Sequence, residues 1–210
     1  MVSATVETMR LTRYTHSCVR LERDGRVLVI DPGIWSEPRA LIGADAVLVT
    51  HEHVDHVDVL RLASLGVPVY APVEADLLGL DVIRVRAGGG FTAAGFQVSA
   101  IGGEHARVCM DQAGCANLGY LVDQVLYHPG DALDVPSQQV HTLLVPMQAS
   151  WLKTAEAIDF VQAVAPQVAI GIHDAQVNER GLASINGWLD ERSGTDYRWL
   201  PPGTSISAPD

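Results

Sequence analysis

Short apolar runs recur along almost the whole chain, separated by Gly, Pro and Asp. Most of these runs are rich in Val, Ile and Leu and are too short for helices, so the pattern predicts β-strands joined by turns. The predicted strands are 9–14, 18–22, 27–30, 46–49, 67–70, 82–85, 96–101, 118–122, 124–127, 142–145, 168–172 and 197–200. This high strand content is the first constraint on the fold.

Two chain reversals are predicted between neighbouring strands. Asp24-Gly25 separates the second and third predicted strands, and this dipeptide supplies the positive φ that a tight hairpin turn requires. A similar reversal is expected at Asp123, between the eighth and ninth strands. The sequence therefore predicts antiparallel pairs at both places.

Helical periodicity occurs in fewer segments. The predicted helices are 56–65, 74–80, 154–165 and 178–192. For the third, Thr154 is the expected N-cap and Pro166 ends the helix. Because strands outnumber helices and hairpins alternate with strand-helix-strand units, the pattern favours two packed sheets with helices outside over a singly wound parallel sheet.

The size and charge of the chain narrow the classes of function. Its 210 residues can form one substantial core, so we expect a single domain over residues 1–210. The net charge of −11, with only 14 basic residues, argues against a nucleic-acid partner, because phosphate recognition depends on clustered Lys and Arg. A small-molecule substrate is the expected partner, and the sequence leaves a homo-oligomer open.

The location of the protein is predicted from what the sequence lacks. The first residues contain no apolar signal-peptide stretch, and no window has the roughly 20 apolar residues of a membrane span. We therefore expect a cytoplasmic protein without a membrane partner. The three cysteines form no CxxC pair, so neither a disulfide framework nor a thiolate zinc site is indicated.

One polar cluster follows the apolar strand 46–49. His51, His53, Asp55 and His56 form an H-x-H-x-D-H motif. Imidazole and carboxylate groups suit zinc, iron or manganese, and polar groups concentrated at a core boundary need binding partners. We interpret the motif as part of a metal site rather than as a solvated loop.

Further metal-binding side chains are expected, because four residues cannot surround two ions. Three candidates stand at or near the ends of predicted strands, where side chains can converge on a rigid scaffold. They are His105 in GGEH, Asp131 in HPGD and His173 in GIHD.

This motif, followed by a single His, Asp and His, resembles the metallo-β-lactamase superfamily. RLTRYTHSCVRLERDGRVLVIDPG resembles the first sheet of the branch that includes ascorbate-6-phosphate lactonase-like hydrolases, and ANLGYLVDQVLYHPGD resembles a strand and turn of that branch. The resemblance covers nearly the whole chain. It implies an αβ/βα four-layer sandwich in which two mixed β-sheets carry helices on their outer faces.

The resemblance also implies a set of metal ligands. His51, His53 and His105 would bind one ion, Asp55, His56 and His173 the other, and Asp131 would bridge both. Two divalent ions are expected, with zinc favoured and manganese, iron or nickel left open. Such a pair can lower the pKa of a shared water toward neutrality, so no Ser-His-Asp triad is needed. Asp55 and Asp131 are the candidate catalytic residues within this set.

Three classes of function remain open. The first is a metal-dependent hydrolase of a small ester, lactone or related compound. The second is a phosphodiesterase of the same fold, against which the acidic charge and the lack of room for an inserted cap domain argue. The third is a non-hydrolytic di-iron or metal-binding protein, although no flavin-binding domain follows residue 210 and structural zinc sites usually close with four tight ligands.

Other polar residues have weaker indications. His16 resembles a family position near the mouth of the site, but we favour a structural role for it. Asp31 is expected to orient a metal-bound histidine rather than to bind metal itself. Asn117 is a candidate for donating to a substrate oxygen or capping a strand. Arg107 is a candidate anion contact, and Trp151 is a candidate residue lining the pocket.

Overall fold

The structure is a computed structural model that describes residues 8–109, 111 and 114–208. The prediction of one domain over 1–210 also includes residues 1–7, 110, 112, 113, 209 and 210, which lie outside the described part of the chain.

The chain folds mainly into strands, as its apolar pattern predicts. The strands are β1 (Met9–Arg13), β2 (Val19–Arg23), β3 (Arg26–Ile30), β4 (Ala46–Leu48), β5 (Val69–Pro72), β6 (Ile83–Val85), β7 (Gly90–Ala93), β8 (Phe96–Glu104), β9 (Ala116–Val122), β10 (Leu126–His128), β11 (Thr142–Pro146), β12 (Val168–Ile172), β13 (Asp196–Arg198) and β14 (Ser205–Ala208). The α-helices are α1 (Val59–Ala63), α2 (Thr154–Val164) and α3 (Glu179–Arg192), and a 3-10 helix spans Pro38–Leu41.

The strands form two seven-stranded sheets. The first has the order β14-β1-β2-β3-β4-β5-β6 and the second the order β13-β12-β11-β10-β9-β8-β7. Both are mixed: β1, β2 and β3 pair antiparallel whereas β3, β4, β5 and β6 pair parallel, and the second sheet changes in the same way at β10. The expected pair of mixed sheets is confirmed.

Both predicted reversals are present. Asp24 and Gly25 have φ values of 51° and 71°, which join β2 to β3 with Arg23 opposite Arg26. Asp123 and Gln124 also have positive φ, and Leu126 returns opposite Val122. Each reversal therefore occurs where the sequence supplies residues that tolerate left-handed backbone.

The main core lies between the two sheets. Leu48 of β4 and Leu144 of β11 belong to one buried cluster, together with Phe96 of β8. Val47, the residue before Leu48 in β4, faces away from this core and packs with Leu62 of α1, because successive side chains in a strand alternate between faces.

The outer face of the second sheet is also covered by helices. Val145 of β11 packs with Phe160 of α2 and Leu189 of α3 in a third buried cluster. With α1 on the first sheet, the layers run helix, sheet, sheet, helix, and this confirms the four-layer αβ/βα sandwich. Among the described residues, no helix is long and apolar enough to cross a membrane.

Several local predictions were wrong. Segment 74–80 forms turns rather than a helix, and the helix predicted over 56–65 is confined to α1. The N-cap of α2 is Lys153 rather than Thr154, with the Lys153 backbone N–H donating to Glu156 Oε2. Strands β7 and β14 were not predicted.

The fold brings the carboxyl ends of several strands to one place. Strands β8 and β10 are each antiparallel to β9, so they run in the same direction. Strands β11 and β12 run parallel to β10, so β8, β10 and β12 all finish on the same side of the second sheet. The first sheet contacts the second on this side just beyond β4, where Leu118 N donates to Thr50 O at 2.9 Å. The segments that follow β4, β8, β10 and β12 therefore converge.

Candidate metal centre

The loop that follows β4 is held rigidly by the loop that follows β3. Ile34 N donates to Val54 O at 2.9 Å, and Asp58 N donates to Pro32 O at 3.1 Å. Gly33 lies so close that a β-carbon built on it would stand 1.9 Å from Asp55 O. The H-x-H-x-D-H loop is therefore fixed by backbone contacts on the side where Asp55 lies.

All seven predicted ligands converge. His51, His53 and His105 place one nitrogen each within 4.8 Å of one another. Asp55, His56 and His173 form a second group with the same spacing, and His16 belongs to it. A third group joins His51 and His56 with Asp131, which therefore lies between the other two. We call the first group the first cluster and the group of Asp55, His56, His173 and His16 the second cluster.

Buried nitrogens without partners show that the clusters suit a cation. The Nε2 atoms of His51, His56, His105 and His173 are buried, and none has a hydrogen-bond partner within the described part of the chain. The same holds for Asp131 Oδ1. Buried polar atoms normally find partners, and a set of imidazole nitrogens around a carboxylate matches the donors that divalent metals prefer.

The other ring nitrogen of each of these histidines is occupied. His56 Nδ1 donates to Asp31 Oδ2 at 2.7 Å, and His51 Nδ1 lies 3.0 Å from Thr50 Oγ1. His105 Nδ1 donates to Ala106 O, and His173 Nδ1 donates to Gln148 O. A proton held on Nδ1 leaves the lone pair of Nε2 free to bind a metal ion.

Asp31 organises this arrangement without entering it. It is fully buried, and it accepts hydrogen bonds from Thr50 N at 2.8 Å and Thr50 Oγ1 at 2.7 Å in addition to that from His56. Because the Thr50 hydroxyl donates to Asp31, its oxygen is left to accept from His51. One carboxylate therefore orients histidines of both clusters, which is the kind of role that the sequence predicted for it.

Asp131 occupies the centre. Its Oδ1 lies 3.2 Å from His56 Nε2, and its Oδ2 lies 3.2 Å from His173 Nε2 and 3.3 Å from His105 Nε2. Trp151 Nε1 donates to Oδ2 at 3.0 Å. The carboxylate thus contacts both clusters and has one fixed donor.

Burial and neighbouring charges favour a neutral His51 and an ionised Asp131, which are the forms that bind a metal ion. They favour a protonated His56, which is not. Burial and the neighbouring His56 hold the pKa of His51 well below its usual value. Burial alone would raise the pKa of Asp131, but His56 and His173 hold it well below its usual value. Burial also acts against a charge on His56, yet Asp131 and Asp31 raise its pKa, so a metal ion would displace a proton there.

Other candidates have different positions from those that the sequence suggested. Asn117 is fully buried, donates to Pro129 O and accepts from Asp131 N, so it fixes the turn that carries Asp131 and does not face a substrate. His128 is structural, because both ring nitrogens bond to backbone groups. Trp151 was predicted only to line the pocket, and nothing in the sequence signalled its bond to Asp131.

His16 resembled a family position near the mouth of the site, although a structural role was favoured for it. It lies in the turn after β1, far along the chain from the motif, and its side chain is 1% exposed. Its Nε2 lies 3.1 Å from Asp55 Oδ2, and its ring lies 3.9 Å from the His173 ring between centroids. His16 is therefore part of the second cluster by position.

The centre opens to a small cavity of about 230 Å³ beside the first cluster. It is lined by Glu52, His53, His105, Ala106, Arg107, Gly114 and Cys115. On the side of the second cluster the surface is apolar: Ile34, Trp35 and Val54 are exposed, and the Trp35 ring stands 4.8 Å from the His16 ring. The opening therefore has a polar side and an apolar side.

Comparison with known proteins gives relatives at the level of sequence. Residues 10–173 match the family described as "Beta-lactamase superfamily domain". Protein Rv0786c of Mycobacterium tuberculosis is 37% identical over 211 residues, covering 95% of this chain and 100% of that protein. The UPF0173 metal-dependent hydrolase SPO2976 of Ruegeria pomeroyi is 31% identical over 147 residues, covering 59% of this chain and 63% of that protein.

Solved structures share the fold at lower identity. Igni18, a metallo hydrolase from Ignicoccus hospitalis, has a TM-score of 0.74 and 20% identity, with coverage of 95% of this chain and 97% of that chain. CmlA, a diiron beta-hydroxylase from Streptomyces venezuelae, has a TM-score of 0.73 and 14% identity, with coverage of 97% and 55%. The two names describe different reactions, so this fold alone does not determine the chemistry.

Proposed function

The chain belongs to the metallo-β-lactamase superfamily, and we propose that it is a metal-dependent hydrolase with a dinuclear active site. The observation that supports this most strongly is the set of four buried Nε2 atoms that surround Asp131 without hydrogen-bond partners in the described chain. Four such atoms at one place would be a large cost to stability unless a cation binds them.

The two ion sites follow from the clusters. His51, His53 and His105 would hold the first ion. Asp55, His56 and His173 would hold the second, with Asp131 between the two. Zinc is the metal that we favour, and these donors also accept manganese, iron and nickel. When bound, a pair of divalent ions supplies an activated water at neutral pH and polarises the bond to be hydrolysed.

The protein's own residues would prepare the centre for this chemistry. Asp31 and Thr50 hold His56 and His51 with their Nε2 lone pairs turned inward. Trp151 restrains Asp131 by donating a hydrogen bond to Oδ2 of that carboxylate. Burial of these groups lowers the local dielectric and so strengthens their interaction with developing charge. Asp55 and Asp131 are the carboxylates placed to orient the attacking water.

The opening favours a small substrate with an ester, lactone or related group. A cavity of about 230 Å³ accommodates a compact molecule rather than a polymer. Arg107 is the one cationic side chain among the described residues that line it, so a phosphorylated lactone would find little recognition there. The exposed side chains of Ile34 and Trp35 beside the second cluster suit an apolar group of the substrate. We therefore favour a neutral ester or lactone over a phosphodiester.

A cytoplasmic location is part of the proposal. Cys18, Cys109 and Cys115 are all free thiols, which is typical of a reducing compartment. Fractionation of cells that produce the protein tests this, and recovery in an extracellular fraction would contradict it.

The activity is tested with a panel of lactones, thioesters and bis-p-nitrophenyl phosphate. We expect zinc-loaded protein to hydrolyse members of the first two classes faster than the phosphodiester. His51→Ala and Asp131→Ala should lose bound zinc and activity together, whereas His141→Ala, at a half-buried residue that contacts Thr142, should keep both. Full hydrolysis by metal-free protein would exclude the proposal. Preference for the phosphodiester, or redox activity of iron-loaded protein, would replace it with the corresponding alternative.

A further inference from the structure

His16 has its ring nitrogens in the opposite roles to those of the four histidines that point into the centre. Ala175 N–H donates to His16 Nδ1 at 3.3 Å. A backbone N–H can only donate, so Nδ1 must carry a lone pair and the proton of the neutral ring must be on Nε2. His16 Nε2 lies 3.1 Å from Asp55 Oδ2, which accepts that proton as a hydrogen bond.

The four inward histidines show the alternative. The Nδ1 atoms of His56, His105 and His173 face carboxylate or carbonyl oxygens, and that of His51 faces a hydroxyl whose own proton goes to Asp31. In each of them the proton of the neutral ring is therefore on Nδ1, and Nε2 carries the lone pair. In His16 the free nitrogen faces the backbone and the protonated nitrogen faces the cluster.

We propose that His16 is not a ligand of the second ion, although its position places it in that cluster, but a positioning residue that donates from Nε2 to Asp55. This inference rests on the proposed dinuclear site and adds a residue to it. The donated hydrogen bond holds Asp55 in one orientation, with Oδ2 3.9 Å from His173 Nε2.

The backbone of His16 acts on the same cluster. His173 N donates to His16 O at 3.0 Å, so one residue contacts Asp55 through its side chain and His173 through its carbonyl. His16 has a φ of 67°, a value that residues with a β-carbon adopt rarely. Both contacts depend on this turn. The second cluster is thus assembled from segments after β1, β4 and β12 around one residue.

Two substitutions of His16 separate the hydrogen bond at Nδ1, from Ala175, from the hydrogen bond at Nε2, to Asp55. His16→Asn places a carbonyl oxygen near the position of Nδ1, where it can accept from Ala175, but its side chain is too short to reach Asp55. His16→Gln carries an amide N–H2 farther out, near the position of Nε2, and can donate to Asp55. Asn tolerates positive φ at least as well as His, so a defect of the Asn variant would not come from backbone strain.

The first measurement is the tautomer of each histidine in metal-free protein, from long-range ¹H–¹⁵N NMR correlations. We expect the Nε2–H form for His16 and the Nδ1–H form for His51, His105 and His173, whereas His56 should carry a proton on both nitrogens until a metal ion displaces one. An Nδ1–H form at His16 would overturn the proposal, because its Nε2 would then be available as a ligand. This result does not depend on metal binding or on activity.

The second measurement is Zn²⁺ affinity by competition with a chromophoric chelator, with the imidazole signals of His53 and His173 reporting the first and second clusters. We expect His16→Asn to weaken the second site by roughly tenfold and leave the first unchanged, because the loss of a bond that orients a ligand has this magnitude. His16→Gln should bind as wild type does, and His141→Gln serves as the control. Unchanged affinity in the Asn variant would contradict the positioning role. If wild-type protein bound no Zn²⁺, the proposed function would fail, and the tautomer would still decide whether His16 is a donor.

Discussion

Trp151 donates its indole N–H to Oδ2 of Asp131 at 3.0 Å. Asp131 Oδ1 has no hydrogen-bond partner in the described chain and both carboxylate oxygens face histidines, so the bond from Trp151 is the fixed restraint on the central carboxylate. The indole also stands near the first cluster, with 6.2 Å between the ring centroids of Trp151 and His105.

Trp151→Phe should weaken Zn²⁺ binding about tenfold, because it removes the donor and keeps the aromatic ring. Competition with a chelating dye measures the affinity. Trp188→Phe is the matched control, since Trp188 lies half-exposed on α3 and packs near Arg192. Equal affinities for both variants would show that the indole N–H does not restrain Asp131.

Asp31→Asn should impair zinc binding at both clusters by roughly 10-fold to 100-fold, because an amide has one acceptor oxygen where the carboxylate serves Thr50 and His56 together. Isothermal titration of metal-free protein gives the affinities. Asp24→Asn is the control, since Asp24 is exposed in a turn at a φ of 51° that Asn tolerates. A loss of affinity at only one of the two ion sites would contradict the conclusion that Asp31 orients histidines of both clusters.

Gly33→Ala should lower the free energy of unfolding by roughly 1–3 kcal/mol, because the new β-carbon would meet Asp55 O and force the two loops apart. Urea titration followed by circular dichroism measures the change. Gly187→Ala, in α3 where a new β-carbon would meet nothing within 4 Å beyond its neighbours and the helix's own backbone, should instead raise stability by about 0.5–1 kcal/mol. Equal effects at the two glycines would contradict the close approach.

Arg13→Leu should destabilise the protein by roughly 3–5 kcal/mol, because it leaves the Asp174 carboxylate without its ion-pair partner. Arg13 is fully buried and also donates to Leu200 O at 3.0 Å. Arg10→Leu on the same strand is the control: Arg10 is largely exposed, and its pair with Glu22 should contribute less than about 1 kcal/mol. Unfolding midpoints in urea compare the two.

Removal of metal should lower the melting temperature, because ions that bind only the folded chain stabilise it by mass action. At a free Zn²⁺ concentration 100 times the dissociation constant, binding raises the free energy of unfolding by about 2.7 kcal/mol. Differential scanning calorimetry with chelator and with added Zn²⁺ tests this. His51→Ala should show a smaller difference between the two conditions. An unchanged melting temperature in wild-type protein would argue against metal binding.

The positions of the site residues could be foreseen because its chemistry is concentrated in the sequence. Four candidates lie in the six residues 51–56 shortly after β4, and the other three stand at or just beyond strand ends. What could not be foreseen is how they are oriented. Gln148 O and Ala175 N bond to His173 and His16, and backbone groups carry no signature of their side-chain partners.

The predicted elements failed where tertiary contacts replaced local preference. Segment 74–80 has a helical pattern, but Ala75 O accepts from Arg84, so this carbonyl is not free to accept from Gly79 N in a helix. Strand β7 begins at the last of three consecutive glycines, a residue type that is rare in strands, and it forms by pairing with β8. Strand β14 is short and half polar, and its pairing with β1 was invisible from its own residues.

The pairing of β14 with β1 also sets an order of assembly during synthesis. Residues 199–208 are translated late, yet Trp199 bonds to Asp174 beside His173, Gly203 bonds to Arg13, and β14 completes the edge of the first sheet. The ligands of the first cluster have all left the ribosome long before these residues exist, whereas the second cluster waits for His173 and for the segment that secures it. The donors of the two ion sites therefore become available at different times on a growing chain.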